Sequence, residues 1–243
     1  MFDLVIPCAG KGSRLGKFTQ NITKNMVIVN NISLFEHQIN SFASCKKKIN
    51  FIYIILGYKS KKLKSFISSL NLPFKFKFYT NKDYFKSECG GSLKKILNKL
   101  KNNTIIINSD LILENKKIHH IFNNKHQNFF YARKRKDNIK KRKIGARVIN
   151  KKIVKIDTLE KDSNLEVVGP FKINKKAIKK LKLIVRKISK KELAKISCFS
   201  LLGKLSSDVR FKYGLIKDKE WYEINTKKDY FNATRVSYLN AKK

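Results

Sequence analysis

The feature that most constrains this chain is a short apolar run, Leu4-Val5-Ile6, that stops at Pro7-Cys8 and opens into Ala9-Gly10-Lys11-Gly12-Ser13-Arg14-Leu15-Gly16. A buried strand that runs into a loop of Gly, Ser and cations suits a polyphosphate. Glycines let backbone N–H groups approach phosphate oxygens, and Lys11 and Arg14 add fixed positive charge. Lys24 follows in Thr23-Lys24-Asn25-Met26, just ahead of another apolar run. Two other phosphate loops are excluded. The dinucleotide fingerprint needs a third glycine where this chain has Leu15, and the Walker loop needs Ser or Thr where Gly12 follows Lys11. Taken alone, the loop also reads as a tight turn on a basic surface.

Apolar runs and helical patterns alternate behind this loop. Strands are expected at Phe2–Ile6, Phe51–Leu56, Phe74–Tyr79 and Thr104–Ile107, and helices at Leu34–Phe42 (Ser33 as N-cap), Leu63–Leu70 and Ser92–Leu100. Near-continuous apolar strands between helices predict an α/β fold: a mostly parallel, Rossmann-like sheet with helices on both faces. Ligands of such sheets sit at the carboxyl ends of the strands, where the glycine loop and Asp110 both fall. After Asp110 the pattern becomes short strands, Phe129–Arg133, Gly145–Ile149, Ile153–Leu159 and Glu166–Ile173, with a hairpin turn at Asn150-Lys151. This is a mixed or antiparallel, acceptor-side subregion. Helices near Lys175–Leu183 and Lys190–Leu202, a strand at Trp221–Ile224 and a closing helix at Lys227–Leu239 complete the reading. With no linker or repeat, residues 1–243 read as one domain, 1–110 mainly binding nucleotide and 111–243 mainly binding acceptor.

The net charge of +39 first suggests nucleic acid or an anionic membrane. Lysine far outnumbers arginine and is spread almost everywhere, as expected of an AT-rich coding sequence. Nucleic-acid readers favour clustered arginine. The denser run from Arg133 to Lys143 reads as a charged loop, with an anionic substrate or partner as the alternative. Cys8, Cys45, Cys89 and Cys198 show neither metal-ligand spacing nor a disulfide framework, so a reducing cytoplasm is the expected compartment. No segment predicts membrane insertion.

Asp110 closes Ile105-Ile106-Ile107-Asn108-Ser109-Asp110, where a carboxylate can hold Mg²⁺ against phosphates or cap the next turn. His119-His120 sits on a helical pattern with no acid nearby and reads as structural.

The Ala9–Leu15 loop followed by Lys24 resembles the signature of the nucleotidyltransferase superfamily, which includes sugar-1-phosphate nucleotidyltransferases and phosphocholine cytidylyltransferases. The resemblance implies that Ala9, Gly10, Gly12 and Ser13 wrap an NTP, and that Arg14 and Lys24 hold its phosphates. It gives Asp110 the metal and Gly90-Gly91-Ser92 the base or ribose. Asn81, Tyr84 and Ser92-Leu93 are similar to the phosphocholine cytidylyltransferase pattern, though Glu88 replaces that pattern's asparagine. Gly145, Glu160-Lys161 and Gly169 match the elements that line the acceptor pocket. Trp221-Tyr222-Glu223-Ile224-Asn225-Thr226 resembles the C-terminal metal motif with Asn225 in place of its aspartate, so Glu223 is a further candidate ligand and Asp229 a helix cap. The implied activity joins an NMP from an NTP to a phosphorylated acceptor, with Mg²⁺ as cofactor and pyrophosphate as product. A non-catalytic nucleotide-binding protein of the same fold is the first alternative, and a basic nucleic-acid-binding protein the second.

Overall fold

A computed structural model describes residues 1–135, 144–158 and 162–236. Strand β1 (Phe2–Cys8) leads through the glycine loop and two short 3-10 turns to a small hairpin, β2 (Ile28–Val29) and β3 (Ile32–Ser33). Then come α1 (Leu34–Asn40), β4 (Ile49–Leu56), α2 (Ser60–Ser69), β5 (Phe76–Thr80), α3 (Cys89–Leu97) and β6 (Asn103–Ile106). The second half carries β7 (Leu111–Leu113), α4 (Asn115–Asn123), β8 (Phe129–Lys134), β9 (Ile144–Ile149), β10 (Lys152–Thr158) and β11 (Leu165–Ile173). It closes with α5 (Lys175–Lys187), α6 (Lys190–Lys195), α7 (Cys198–Gly203), β12 (Lys212–Leu215), β13 (Trp221–Glu223) and α8 (Lys227–Ala233).

The central sheet runs β10-β9-β11-β6-β1-β4-β5. β5, β4, β1 and β6 are parallel. β11 runs antiparallel to β6, pairing β9 at its start and β6 at its end, while its other edge carries β8 and then β12. This is the expected parallel half joined to an antiparallel half.

The β1–β4–β6 core is built on the two-residue period of a strand. Val5, Ile55 and Ile106 face one side and pack with Leu93, Ile96 and Leu181. Leu4, Ile6, Ile54 and Ile105 face the other and pack with Phe35, Ile39 and Leu63. Both faces are covered, so these strands lack polar alternation. Each side chain so buried stabilises by about 1.5–3 kcal/mol. A third cluster, with Leu15, Val27, Leu34, Ile112, Ile224 and Ala233, fastens the glycine loop and α8 to the main body.

Helix starts follow local chemistry. Ser33 and Glu36 form a reciprocal capping box on α1, and Thr226 and Asp229 do the same on α8. Asn150 and Lys151 take positive φ angles of 49° and 59° at the expected hairpin turn.

Four details differ from the sequence reading. The helix expected from Ser92 starts at Cys89, so Gly90 and Gly91 lie in the first turn of α3. The helix expected over 190–202 breaks at Ile196-Ser197, because the Ile196 carbonyl accepts from Gly90 N at 3.1 Å and Ser197 caps α7. The closing helix ends at Ala233. The short strands β2, β3, β7 and β12 carry too few residues to show a period. The break also brings two distant thiols together: Cys198 N donates to Cys89 Sγ at 2.8 Å, and both cysteines are free.

Candidate active site

The glycine loop begins where β1 ends. Gly12 has φ +69°, and a Cβ there would lie 2.9 Å from Lys24 Cβ, so this position requires glycine both for its backbone and to admit Lys24. Gly10 has nothing within 4 Å of a built Cβ and faces open space. The loop is tied down behind this opening. Leu15 N donates to Gly12 O at 3.0 Å, Thr19 Oγ1 donates to Gly12 O at 3.1 Å, and Leu15 is fully buried. Gly57 at the end of β4 backs the loop: a Cβ there would meet Ala9 O at 2.5 Å, and Tyr58 N donates to Ala9 O at 2.9 Å.

Lys24 is brought to Asp110 across the sheet end. Its Nζ lies 2.8 Å from Asp110 Oδ2 and donates to Asn225 Oδ1 at 2.9 Å. Arg14 Nη2 donates to the same Asn225 Oδ1 at 2.7 Å. Four residues from three distant parts of the chain thus meet at one point. At this point two cations face one carboxylate and one neutral amide. The Lys24 and Asp110 side chains are only 11% and 16% exposed, so solvent screens them little.

A second layer holds these groups. Gln38 Nε2 donates to the carbonyls of Asn108 and Leu111, 2.7 Å each, which fixes the turn that presents Asp110. Asn25 Nδ2 donates to Ser109 O at 3.2 Å. β13 pairs antiparallel with β7, and Ile224 N donates to Asp110 O at 3.2 Å. Asp229 Oδ2 accepts from Asn225 N at 2.9 Å, so the cap of α8 also orients Asn225. Asp229 is therefore a cap, as expected. Gln38 and Gly57 escaped the sequence reading. Gln38 had a signal, being a polar residue on the apolar face of Leu34, Phe35, Ile39 and Phe42.

Cys8 abuts the site, and burial pushes its thiol well above the ordinary range. That disfavours the thiolate a nucleophile needs. Among the described residues no group of three or more His, Cys, Asp or Glu converges as a metal site. Asp110 Oδ1, however, is buried without a hydrogen-bond partner. This is a carboxylate oxygen of the kind Mg²⁺ takes, whereas the Asn225 amide oxygen already accepts from Arg14 and Lys24. Glu223 lies on β13 opposite Leu111.

Other expected site residues are placed as follows. Ser92 is 2% exposed, and its Oγ accepts from Asn81 Nδ2 at 2.9 Å, so it shapes the loop after β5. Gly90 packs where a Cβ would meet Ile196 O at 2.6 Å. Gly145 lies in β9 opposite Glu166 of β11. Gly169 has φ +79°, with the Phe199 ring 2.4 Å from a built Cβ. Glu160, Lys161 and the basic stretch from Lys136 to Lys143 lie outside the described residues. Arg133, just ahead of that stretch, is engaged: its Nη2 is 2.7 Å from Glu166 Oε2 and its Nη1 is 3.0 Å from Asp218 Oδ1. His120 is structural, its Nδ1 2.5 Å from the Tyr131 hydroxyl.

No family model matches the chain. It is 31% identical over 112 residues to the bifunctional protein GlmU of Methanococcus aeolicus, a match covering 46% of this chain and 25% of that protein. The chain thus spans about a quarter of the length of the curated relatives it matches. Among solved structures it is similar to the inositol-1-phosphate CTP transferase of T. maritima, with a TM-score of 0.77 and 17% identity over 97% of this chain and 96% of that one. It is also similar to the CTP:phosphocholine cytidylyltransferase of Streptococcus pneumoniae, with a TM-score of 0.75 and 20% identity over 97% and 99% of the two chains. No helix among the described residues is long and apolar enough to cross a membrane. Its mostly parallel sheet, flanking helices and antiparallel extension are the α/β nucleotidyltransferase fold.

Proposed function

We propose that this chain is a nucleotidyltransferase that joins an NMP from an NTP to a phosphorylated small molecule and releases pyrophosphate. The observation that carries the proposal is the meeting of Arg14, Lys24, Asp110 and Asn225 beside a glycine loop at the carboxyl edge of the sheet. The acceptor is a sugar-1-phosphate or a phospho-alcohol, since similar structures are named for glucose-1-phosphate, inositol-1-phosphate and phosphocholine.

In the proposed reaction an acceptor phosphate oxygen bonds to the α-phosphorus. The bond from that phosphorus to the bridging oxygen breaks, and the electron pair leaves with pyrophosphate. No protein nucleophile is needed. The work is positioning and charge neutralisation. Two like charges about 4 Å apart repel by about 4 kcal/mol at an effective dielectric of about 20, so the two polyanions need cations between them. Lys24 and Arg14 supply that charge, and Asn225 holds both by one oxygen. Gly10 leaves room for the triphosphate, and Gly12 lets Lys24 approach. Asp110 and Asn225 would hold Mg²⁺, with Glu223 a further candidate ligand; the bound ion neutralises phosphate charge.

One observation favours the reading of a non-catalytic nucleotide binder: Asn225 lacks the second carboxylate charge, and its oxygen already serves two cations. A pyrophosphate-release assay with Mg²⁺, a panel of NTPs and both acceptor classes separates the readings. The proposal expects release that depends on both NTP and acceptor. Nucleotide-induced thermal stabilisation without release supports the binder.

A further inference from the structure

The opposite edge of the sheet carries a second concentration of charge. Two adjoining clefts of about 500 and 460 Å³ open there, sharing Lys125, His126, Asn174 and Lys176 in their walls. The second lies where β1 and β6 begin, with Phe2 and Asn103 in its lining, and the first adjoins it, so the body of the sheet separates both from Lys24 and Asp110. Either volume suits a small organic ligand.

The floor of the second cleft is Lys172 on β11, which is 5% exposed. Its Nζ donates to Asn124 O at 2.9 Å and sits 5.4 Å from the Phe2 ring centroid. Among the described residues it pairs with no carboxylate. Burial, and the nearby Lys48, lower its pKa. A buried ammonium without a counter-charge is costly, and an anion in the cleft relieves that cost. The walls point the same way. The 13-residue helix α5 starts here; Asn103 and Asn174 already accept from its Lys175 and Ala177 N–H groups, and its dipole adds to the charge of Lys125 and Lys176. Among the described lining residues of both clefts, Asp208 is the one carboxylate.

We infer that this basic cleft is a second ligand site, separate from the candidate active site, that binds a small molecule bearing two or more phosphates. The inference does not depend on the proposed reaction. Lysines cover this protein, so the proposal must be distinguished from diffuse attraction. Lys172 supplies the distinction, because diffuse attraction gives no role to a buried, counter-charge-free ammonium.

Inorganic tripolyphosphate is the probe, titrated calorimetrically into the full chain at fixed salt. Arg14→Ala/Lys24→Ala removes the two cations of the candidate active site and leaves the cleft intact. This variant is expected to keep one binding event. Adding Lys125→Gln, Lys172→Met and Lys176→Gln is expected to weaken that event at least tenfold. Adding Lys61→Gln, Lys64→Gln and Lys190→Gln removes three charges elsewhere and is expected to weaken it less than threefold. Melting curves establish that every variant is folded, and Lys125→Gln/Lys176→Gln alone serves if Lys172→Met is not. The inference is overturned if the Arg14→Ala/Lys24→Ala variant shows no binding, or if both triple sets weaken binding equally. It is also overturned if the cleft binds duplex DNA more tightly than tripolyphosphate.

Discussion

Gly12→Ala tests the architecture of the glycine loop more sharply than removing any charged group. At φ +69° an alanine sits in the left-handed region, which costs about 1–2 kcal/mol. Its Cβ would also stand 2.9 Å from Lys24 Cβ, closer than side chains come. That neighbouring atom is the root of the lysine, not its flexible end, so the backbone near Lys24 must yield. Overpacking of this kind costs about 1–3 kcal/mol. The smaller sum, about 2 kcal/mol, lowers Tm by about 4 °C or more in a chain of this size. The displacement carries Lys24 Nζ away from Asp110 and Asn225, so turnover is expected to fall on the order of 10²-fold, as misplacements near 1 Å do. Gly10→Ala is the control, since nothing lies within 4 Å and its φ is not positive; its Tm is expected to stay within about 1 °C. Differential scanning calorimetry and the pyrophosphate assay read both quantities. Gly12→Ala with wild-type melting and wild-type turnover would mean that neither the positive φ nor the contact with Lys24 constrains this position.

Three further outcomes are expected. Lys24→Ala lowers turnover on the order of 10²-fold or more while the protein stays folded, because its charge acts on the reacting phosphates; steady-state kinetics beside a melting curve checks this. Asp110→Asn abolishes Mg²⁺-dependent turnover and shifts Tm by less than about 4 °C, since the amide oxygen still accepts from Lys24; the same two measurements apply, and a variant that fails to fold would make Asp110 a structural cap. Asn225→Asp lowers the Mg²⁺ concentration giving half-maximal rate, because a second carboxylate attracts a hard cation. A Mg²⁺ titration in which Asn225→Asp does little and Glu223→Gln is damaging would instead make Glu223 the second ligand.

What was readable in the sequence was whatever one segment decides for itself. The burial of Leu4, Ile6, Ile54 and Ile105, the cap at Ser33 and the turn at Asn150-Lys151 are all local, and each lies where the residues predicted. The place of Gly90 in the first turn of α3 was not readable, because glycine suits both an open turn and close packing, and here a distant carbonyl, that of Ile196, decides for packing. The same carbonyl breaks the helix expected over 190–202, which no local pattern around Ile196 announces. In the candidate site the types of Arg14, Lys24 and Asp110 were legible from motif and position. That one Asn225 oxygen accepts from both cations was not, because it depends on how β13 and α8 dock against the turn at Asp110. The pairing of Cys89 with Cys198 is of the same kind, joining residues 109 positions apart.

The most direct test of the account follows the α-phosphorus. Wild-type protein is incubated with Mg²⁺, an acceptor phosphate and each NTP labelled at the α-position, and the products are separated. The label is expected in a nucleoside-diphosphate-linked acceptor, with unlabelled pyrophosphate in equal amount and neither product from Asp110→Asn. Label released as free NMP, or no turnover with any NTP and either acceptor class, would contradict it.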